Sequence, residues 1–237
     1  MRKILLVSLC FVVAAAQAQS VNEVIQKYSA AIGGFDAFNA VKTAKMTGTV
    51  SVQGMDLPLT IQIVNGKAMR NDVQIMGQVI INAYKDGKGW TVNPLAGANS
   101  PTEVTGTELY DLKNQASMIS PLMNYKASGN TVELEGQEDV EGVKCYKIKL
   151  TRKDDGKVST YYIGASDYLP VKYVESKALQ GQEFEIESYF SDYKDFNGMK
   201  FSMTRTQKVE GQVLQEIKLT DIQFNVDIDD KIFDMPK

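Results

Sequence analysis

The chain has 237 residues, 43% of them hydrophobic, no histidine, two cysteines and a formal charge of −3 at pH 7. The lack of histidine excludes imidazole general bases, His-containing triads and most zinc sites, and with no cluster of Lys or Arg there is no electrostatic footprint for nucleic acid. Carboxylates fall mostly at turns, as in Asp154-Asp155-Gly156 and Asp229-Asp230, and no glycine-rich phosphate cradle occurs, so no enzyme, metal site or cofactor is expected.

The N-terminus reads as a removable address. Arg2 and Lys3 precede an apolar run over residues 4–16, and Ala16-Gln17-Ala18 supplies the small-x-small cleavage pattern of a signal peptide. The run falls short of the roughly 20 residues of a spanning helix. Cys10 lies mid-run behind the bulky Leu9, which does not suit a lipidation site. Cleavage after Ala18 leaves residues 19–237 as one domain with Cys145 as its sole thiol, so no intramolecular disulfide can form. Cys145 reads as an ordinary, inert strand residue.

In chain order, Val21, Val24, Ile25, Tyr28, Ala31 and Ile32 recur at helical steps until Gly33-Gly34 stops them. A second short helical piece carries Phe35, Phe38 and Val41. The period then becomes two: Met46, Val50 and Val52; Leu57, Leu59, Ile61 and Ile63; then, past the Asn65-Gly66 turn, Met69, Val73 and Ile75; then Val79, Ile81 and Ala83. Asp86-Gly87 turns the chain into a short strand holding Trp90, the sole tryptophan, before Asn93-Pro94 breaks it. Residues 94–106 read as a loop of small and polar residues. Thr107 is then an N-cap for a helix over 107–119 with Leu109, Leu112, Ala116 and Ile119 on one side, and Ser120-Pro121 restarts a turn of helix carrying Leu122, Met123 and Tyr125. From Thr131 the alternation resumes and runs to Leu219. The pattern predicts a mainly β fold, one curved antiparallel sheet of about eleven strands with helices in its concave face.

Several stretches together resemble the LolA/LolB-like lipoprotein carriers, and more closely the outer membrane lipoprotein-sorting protein group. They are Tyr28-Ser-Ala-Ala-Ile-Gly-Gly34, Asp86-Gly-Lys-Gly-Trp-Thr-Val-Asn-Pro94, Tyr161-Tyr-Ile-Gly-Ala-Ser-Asp-Tyr-Leu-Pro-Val-Lys172, Ser191-Asp-Tyr-Lys-Asp-Phe-Asn-Gly-Met-Lys-Phe201 and Asp229-Asp-Lys-Ile-Phe-Asp-Met-Pro236. The resemblance implies a half-barrel whose apolar mouth shields the acyl chains of lipoproteins or other lipids across the periplasm of a Gram-negative bacterium. It implies inner- and outer-membrane partner proteins as well, and a monomer is expected. Keeping one long acyl chain from water is worth roughly 10 kcal/mol. A non-transport envelope sensor or regulatory binding module on the same scaffold is the alternative. One departure stands out. The carriers hold their lid partly through an arginine placed before a proline as the third strand begins, whereas this chain has Val64-Asn65-Gly66-Lys67 there. Less polar bonding should therefore hold the 107–119 helix shut.

The expected ligand wall is Trp90 with Leu59, Ile61, Met69, Val92, Leu112, Ile119 and Met123, around an apolar cavity between sheet and helices. Trp90 is expected to face the concave side. Met46, Met55, Met69, Met76, Met118 and Met123 would add adaptable surface for flexible chains.

Overall fold

A computed structural model describes residues 20–179 and 182–236; the signal-peptide expectation lies outside them. Ser20 accepts the Glu23 N–H while the Glu23 carboxylate accepts the Ser20 N–H, a reciprocal cap that starts α1 (Val21–Ile32). Gly33, at φ 121°, ends it. A side chain at Gly33 would run into the Gly198 carbonyl and lie 2.8 Å from Met199 Cα, so this glycine also lets the helix end sit directly on the sheet. The short α2 (Phe35–Ala40) follows.

Six strands come next: β1 (Thr43–Val52), β2 (Met55–Val64), β3 (Ala68–Ile75), β4 (Gln78–Lys85), β5 (Lys88–Asn93) and β6 (Ala98–Val104). After α3 (Gly106–Gln115) there are seven more: β7 (Thr131–Val140), β8 (Val143–Thr151), β9 (Val158–Gly164), β10 (Pro170–Leu179), β11 (Gln182–Phe196), β12 (Met199–Val209) and β13 (Gln212–Phe224). All thirteen form one sheet in the order β6-β5-β4-β3-β2-β1-β13-β12-β11-β10-β9-β8-β7. Every pairing is antiparallel, so the fold is two meanders joined along β1 and β13. One device builds most of the hairpins. Gln53-Gly54, Met76-Gly77, Asp86-Gly87, Glu141-Gly142, Asn197-Gly198 and Glu210-Gly211 all place both residues at positive φ, the two-residue turn whose twist matches that of the strands it joins.

Three expectations are corrected here. The sheet has thirteen strands rather than about eleven. Residues 94–106 are not a loop: one 3-10 turn (Pro94–Ala96) leads into β6, which pairs with β5 through Gly89↔Val104, Trp90↔Glu103 and Thr91↔Thr102. Because β6 is an edge, it tolerates Pro101 and polar side chains that would disqualify a central strand. The mid-chain helix starts after Thr105, not Thr107, and ends at Gln115, while residues 121–129 form successive turns rather than helix.

Register divides the sheet cleanly between two faces. Ala44, Ile63, Met69 and Tyr84 stand opposite one another across β1 to β4, and with Met46, Ile148, Ile163, Met203 and Ile222 they pack against Val24, Ile25 and Tyr28 of α1 and Leu112 of α3. This is the concave face. On the convex face a smaller core of Val140, Cys145 and Tyr162 forms with Val171, Val174 and Tyr189. Lys172 lies 5.3 Å from the centres of both tyrosine rings and Lys208 lies 4.2 Å from that of Tyr189, so lysines cover this patch.

Candidate functional site

The chain leaves the sheet at one edge, β6, and re-enters at the other, β7. Residues 105–130 therefore have to cross the mouth of the curved sheet. Their seat on the N-terminal meander is Gly89. A side chain there would lie 2.9 Å from Leu109 and 3.1 Å from Leu112, so its absence lets α3 rest on the backbone of β5. Leu122 is fully buried in the same core, and Met118, Ile119, Met123 and Tyr125 pack on it partly buried.

Because Gly89 faces α3, Trp90 must face the other way. Trp90 pairs with Ala83, which pairs with Arg70, which pairs with Gln62, and this row lies on the convex face. There Trp90, only 2% exposed, donates its indole N–H to the Phe233 carbonyl at 2.9 Å, beneath the closing 3-10 turn (Asp230–Phe233). The Arg70 guanidinium lies 5.7 Å from the Trp90 ring and donates to the Ile232 carbonyl at 2.8 Å. Val92, two residues on, shares that face. Of the expected wall, then, Leu59, Ile61, Met69, Leu112, Ile119 and Met123 come together on the concave side, while Trp90 and Val92 do not. The tryptophan is the hub of a C-terminal clasp.

The concave core is filled by side chains from α1, α3 and residues 116–125, so the face is closed. An open groove lies among the β1–β2 and β3–β4 hairpin ends, lined by Leu57, Pro58, Ile75, Met76 and Val79, and a small cleft lies where Asp111 of α3 meets Tyr173 and Glu175 of β10. The methionines divide accordingly: Met46 and Met69 are buried on the concave face, whereas Met55 and Met76 are exposed at hairpin tips, Met76 to 85%.

The expectation of a loosely bonded crossing is also corrected, for Asn65 supplies what the missing arginine does not. Its side-chain N–H groups donate to the carbonyls of Phe38 (3.0 Å) and Val41 (2.8 Å), and its side-chain oxygen accepts the Met118 N–H at 2.9 Å. Gly66 N–H reaches the Ala116 carbonyl at 2.7 Å. Tyr28 and Ser120 share a hydrogen bond of 2.8 Å, Tyr125 donates to Asn22, and Lys157 donates to Thr107 at 3.3 Å. The Arg152 guanidinium stacks 3.8 Å from the Tyr110 ring centre. Burial pushes the Tyr28 hydroxyl up to about 12, against a smaller opposing effect of its bond to Ser120.

A polar group lies on the same concave face. Tyr173 donates to Glu175 at 3.0 Å, and Lys177 bridges Glu175 and Asp111 of α3 at 3.0 Å each. Burial opposes the Lys177 charge, but the two carboxylates outweigh it and hold its pKa above the usual lysine value. Burial, with smaller contributions from nearby Tyr173, Tyr28 and Glu175, holds Tyr161 well above the ordinary tyrosine range. The sequence pattern marked Tyr161 and Tyr173 only as strand residues, and Asp111, Glu175 and Lys177 not at all.

An open antiparallel half-barrel whose mouth is crossed by a helix-bearing segment is a LolA-like fold. No protein-family model and no curated protein matches the chain. Among solved structures it is similar to a LolA superfamily protein from Nitrosomonas europaea, at 14% identity and a TM-score of 0.58, over 92% of this chain and 98% of that one. It is similar also to an outer membrane lipoprotein-sorting protein domain from Vibrio parahaemolyticus, at 12% identity and 0.60, over 90% and 95%. A DUF1329 family protein from Desulfovibrio piger aligns at 13% identity and 0.61, over 92% and 98%.

Proposed function

We propose that this protein is a non-enzymatic binding or carrier protein that shields the acyl chains of lipoproteins or other lipids between its concave sheet face and residues 105–130, in the periplasm of a Gram-negative bacterium. One observation carries the reading: the apolar concave face is closed by a segment that belongs to neither meander and is held by side-chain packing and a few polar tethers. Such a segment can lift while the sheet stays intact. Lifting it uncovers Leu112, Ala116 and Leu122, with Leu109, Met118, Ile119, Met123 and Tyr125 in part, and breaks the tethers of Asn65 and Tyr28. Burial of one long acyl chain, roughly 10 kcal/mol, is the gain that would offset that cost. The name given to the Vibrio domain, an outer membrane lipoprotein-sorting protein by description, points to the same cargo class.

The test is native mass spectrometry of the protein purified without detergent, combined with hydrogen exchange. Co-purified acyl lipid is expected, with amides of residues 106–125 exchanging faster after delipidation than before. A lipid-free protein whose exchange in 106–125 does not respond to added acyl lipid would refute the reading.

A further inference from the structure

The concave face continues past the packed core toward the hairpin ends. Leu57, Leu59 and Ile61 alternate on one face of β2, beside Ile75, Val73 and Asn71 of β3. Ile61 packs on the core that α1, α3 and residues 116–125 complete. Farther out Leu59 and Ile75 are buried, while Leu57 and Val73 are only partly so.

At that end the two hairpins part. Pairing of β2 with β3 stops at Leu59↔Val73. Yet β2 stays on β1 as far as Val52↔Met55, and β3 stays on β4 as far as Ile75↔Gln78. The sheet is therefore split between residues 55–58 and residues 74–75, and the split is the open groove, of about 410 Å³. That lies within the roughly 300–1,000 Å³ of sites that hold small molecules. Successive side chains of a strand point to opposite faces, so the groove joins the two: Leu57, Ile75 and Gln78 belong to the concave face, and Pro58, Gln74 and Val79 to the convex one.

The lining selects what can lie there. Of its nine residues Asp56 alone is charged, and its carboxylate is taken by the Ser51 hydroxyl. Pro58 has no N–H to offer, which disfavours an added peptide strand in the split. Aliphatic walls with one flexible thioether, Met76, suit a thin, uncharged and flexible chain. The groove is also continuous with the face to which the acyl chain is assigned, through Leu59 and Val73 to Ile61.

We propose that the split between the two hairpins is a preformed seat for a linear alkyl chain, and the place at which an acyl chain enters the concavity. This rests on the carrier reading and adds where loading begins. The chain end binds in the groove while residues 105–130 are still closed, then advances past Leu59 and Val73 to Ile61 as they lift.

The test is photolabelling of the full chain with fatty acids of eight and sixteen carbons, each carrying a diazirine at its methyl end and used below its micelle concentration. Peptide mapping and hydrogen exchange are the readouts. The eight-carbon probe should label residues 55–58 and 74–79 saturably and leave exchange in 106–125 unchanged. The sixteen-carbon probe should also label residues 105–125 and alter their exchange. Leu57→Gln combined with Val79→Gln should weaken eight-carbon binding about fivefold or more, and slow sixteen-carbon loading by a similar factor. Met76→Gln changes a side chain that is 85% exposed, so it leaves the fold intact if the double variant does not fold, and it should have the same effects in smaller measure. Eight-carbon labelling that misses the groove or does not saturate would overturn the inference while the carrier reading stands. So would sixteen-carbon labelling confined to 105–125, at a loading rate that neither variant changes. If neither probe binds, the inference and the carrier reading fail together.

Discussion

Replacing Phe233 with alanine tests whether the C-terminal turn is structural. Residues so near a chain end usually fray and tolerate change, yet Phe233 is 1% exposed, and its carbonyl accepts the Trp90 indole N–H. Truncating a fully buried phenylalanine costs roughly 3–5 kcal/mol. The lower end applies here, about 3 kcal/mol, because residues 225–229 lie outside the sheet and let the turn peel away without tearing a strand. The remaining hold would be two bonds to main-chain carbonyls, from Arg70 to residue 232 and from Trp90 to residue 233, and the Lys85 pairs with Asp230 and Asp234, which are exposed and screened by salt. The assay is urea titration followed by two signals, Trp90 emission and far-ultraviolet dichroism. In the native protein the two should move together. In Phe233→Ala, Trp90 should shift to the red and become open to acrylamide at urea concentrations that leave the sheet folded. Unchanged Trp90 emission with coincident transitions at the native midpoint would refute the clasp.

Gly48→Ala should destabilise the fold by about 3 kcal/mol or more, since a methyl group there would strike the Lys218 carbonyl and lie 2.8 Å from Leu219 Cα at the bulged join of β1 and β13; a midpoint within error of the native one would show that the join yields. Asn65→Ala removes the three hydrogen bonds by which the β2–β3 turn holds Phe38, Val41 and Met118, and should cost about 2–3 kcal/mol while speeding hydrogen exchange across 106–125 and sparing β8; uniform exchange in both regions would count against Asn65 as the tether. Burial raises the Cys145 thiol to about 11 and Tyr28 to about 12, above their ordinary 9.0 and 10.0. Groups raised in this way contribute stability that is complete below pH 9 and lost as pH rises through 11 and 12. The urea midpoint should therefore hold level to pH 9 and then fall, with Cys145 unreactive toward thiol reagents until the protein unfolds; a midpoint constant to pH 11.5 would contradict the burial of both.

How much of this the sequence disclosed depends on the kind of signal. The start and stop of α1 are written in Ser20, Glu23 and Gly33, and the hairpins in repeated X-Gly turns, because both are local chemistry. The strand β6 was hidden because an edge strand needs no apolar alternation and can carry Pro101. The face of Trp90 was hidden for another reason. β5 is short and places glycine beside tryptophan, so the usual rule that the large residue faces the core points the wrong way; the α3 seat required the small one. In β10, Val171 and Tyr173 alternate as if they shared a face, whereas the irregularity between Pro170 and Lys172 sends Val171 to the convex patch and leaves Tyr173 in the concavity. Six of the eight expected wall residues share the concave side because period-two alternation and helical spacing recovered it where each strand or helix had a single apolar face.

The join of β1 and β13 sets the order of assembly. β1 is made early, but its second partner is the last strand of the chain, so the N-terminal meander waits through the synthesis of nearly everything else with an edge unpaired. Hairpins such as β1–β2 close within microseconds, whereas this pairing needs almost the full length of the polypeptide to return on itself. During the wait β1 presents free backbone donors and acceptors beside Met46 and Val50, a template for any strand of matching register. The β13 of another nascent copy has that register by identity. Strand exchange between two chains through this seam is thus the misassembly to which this topology is most exposed, and dilution should favour the correct closure over the swapped dimer.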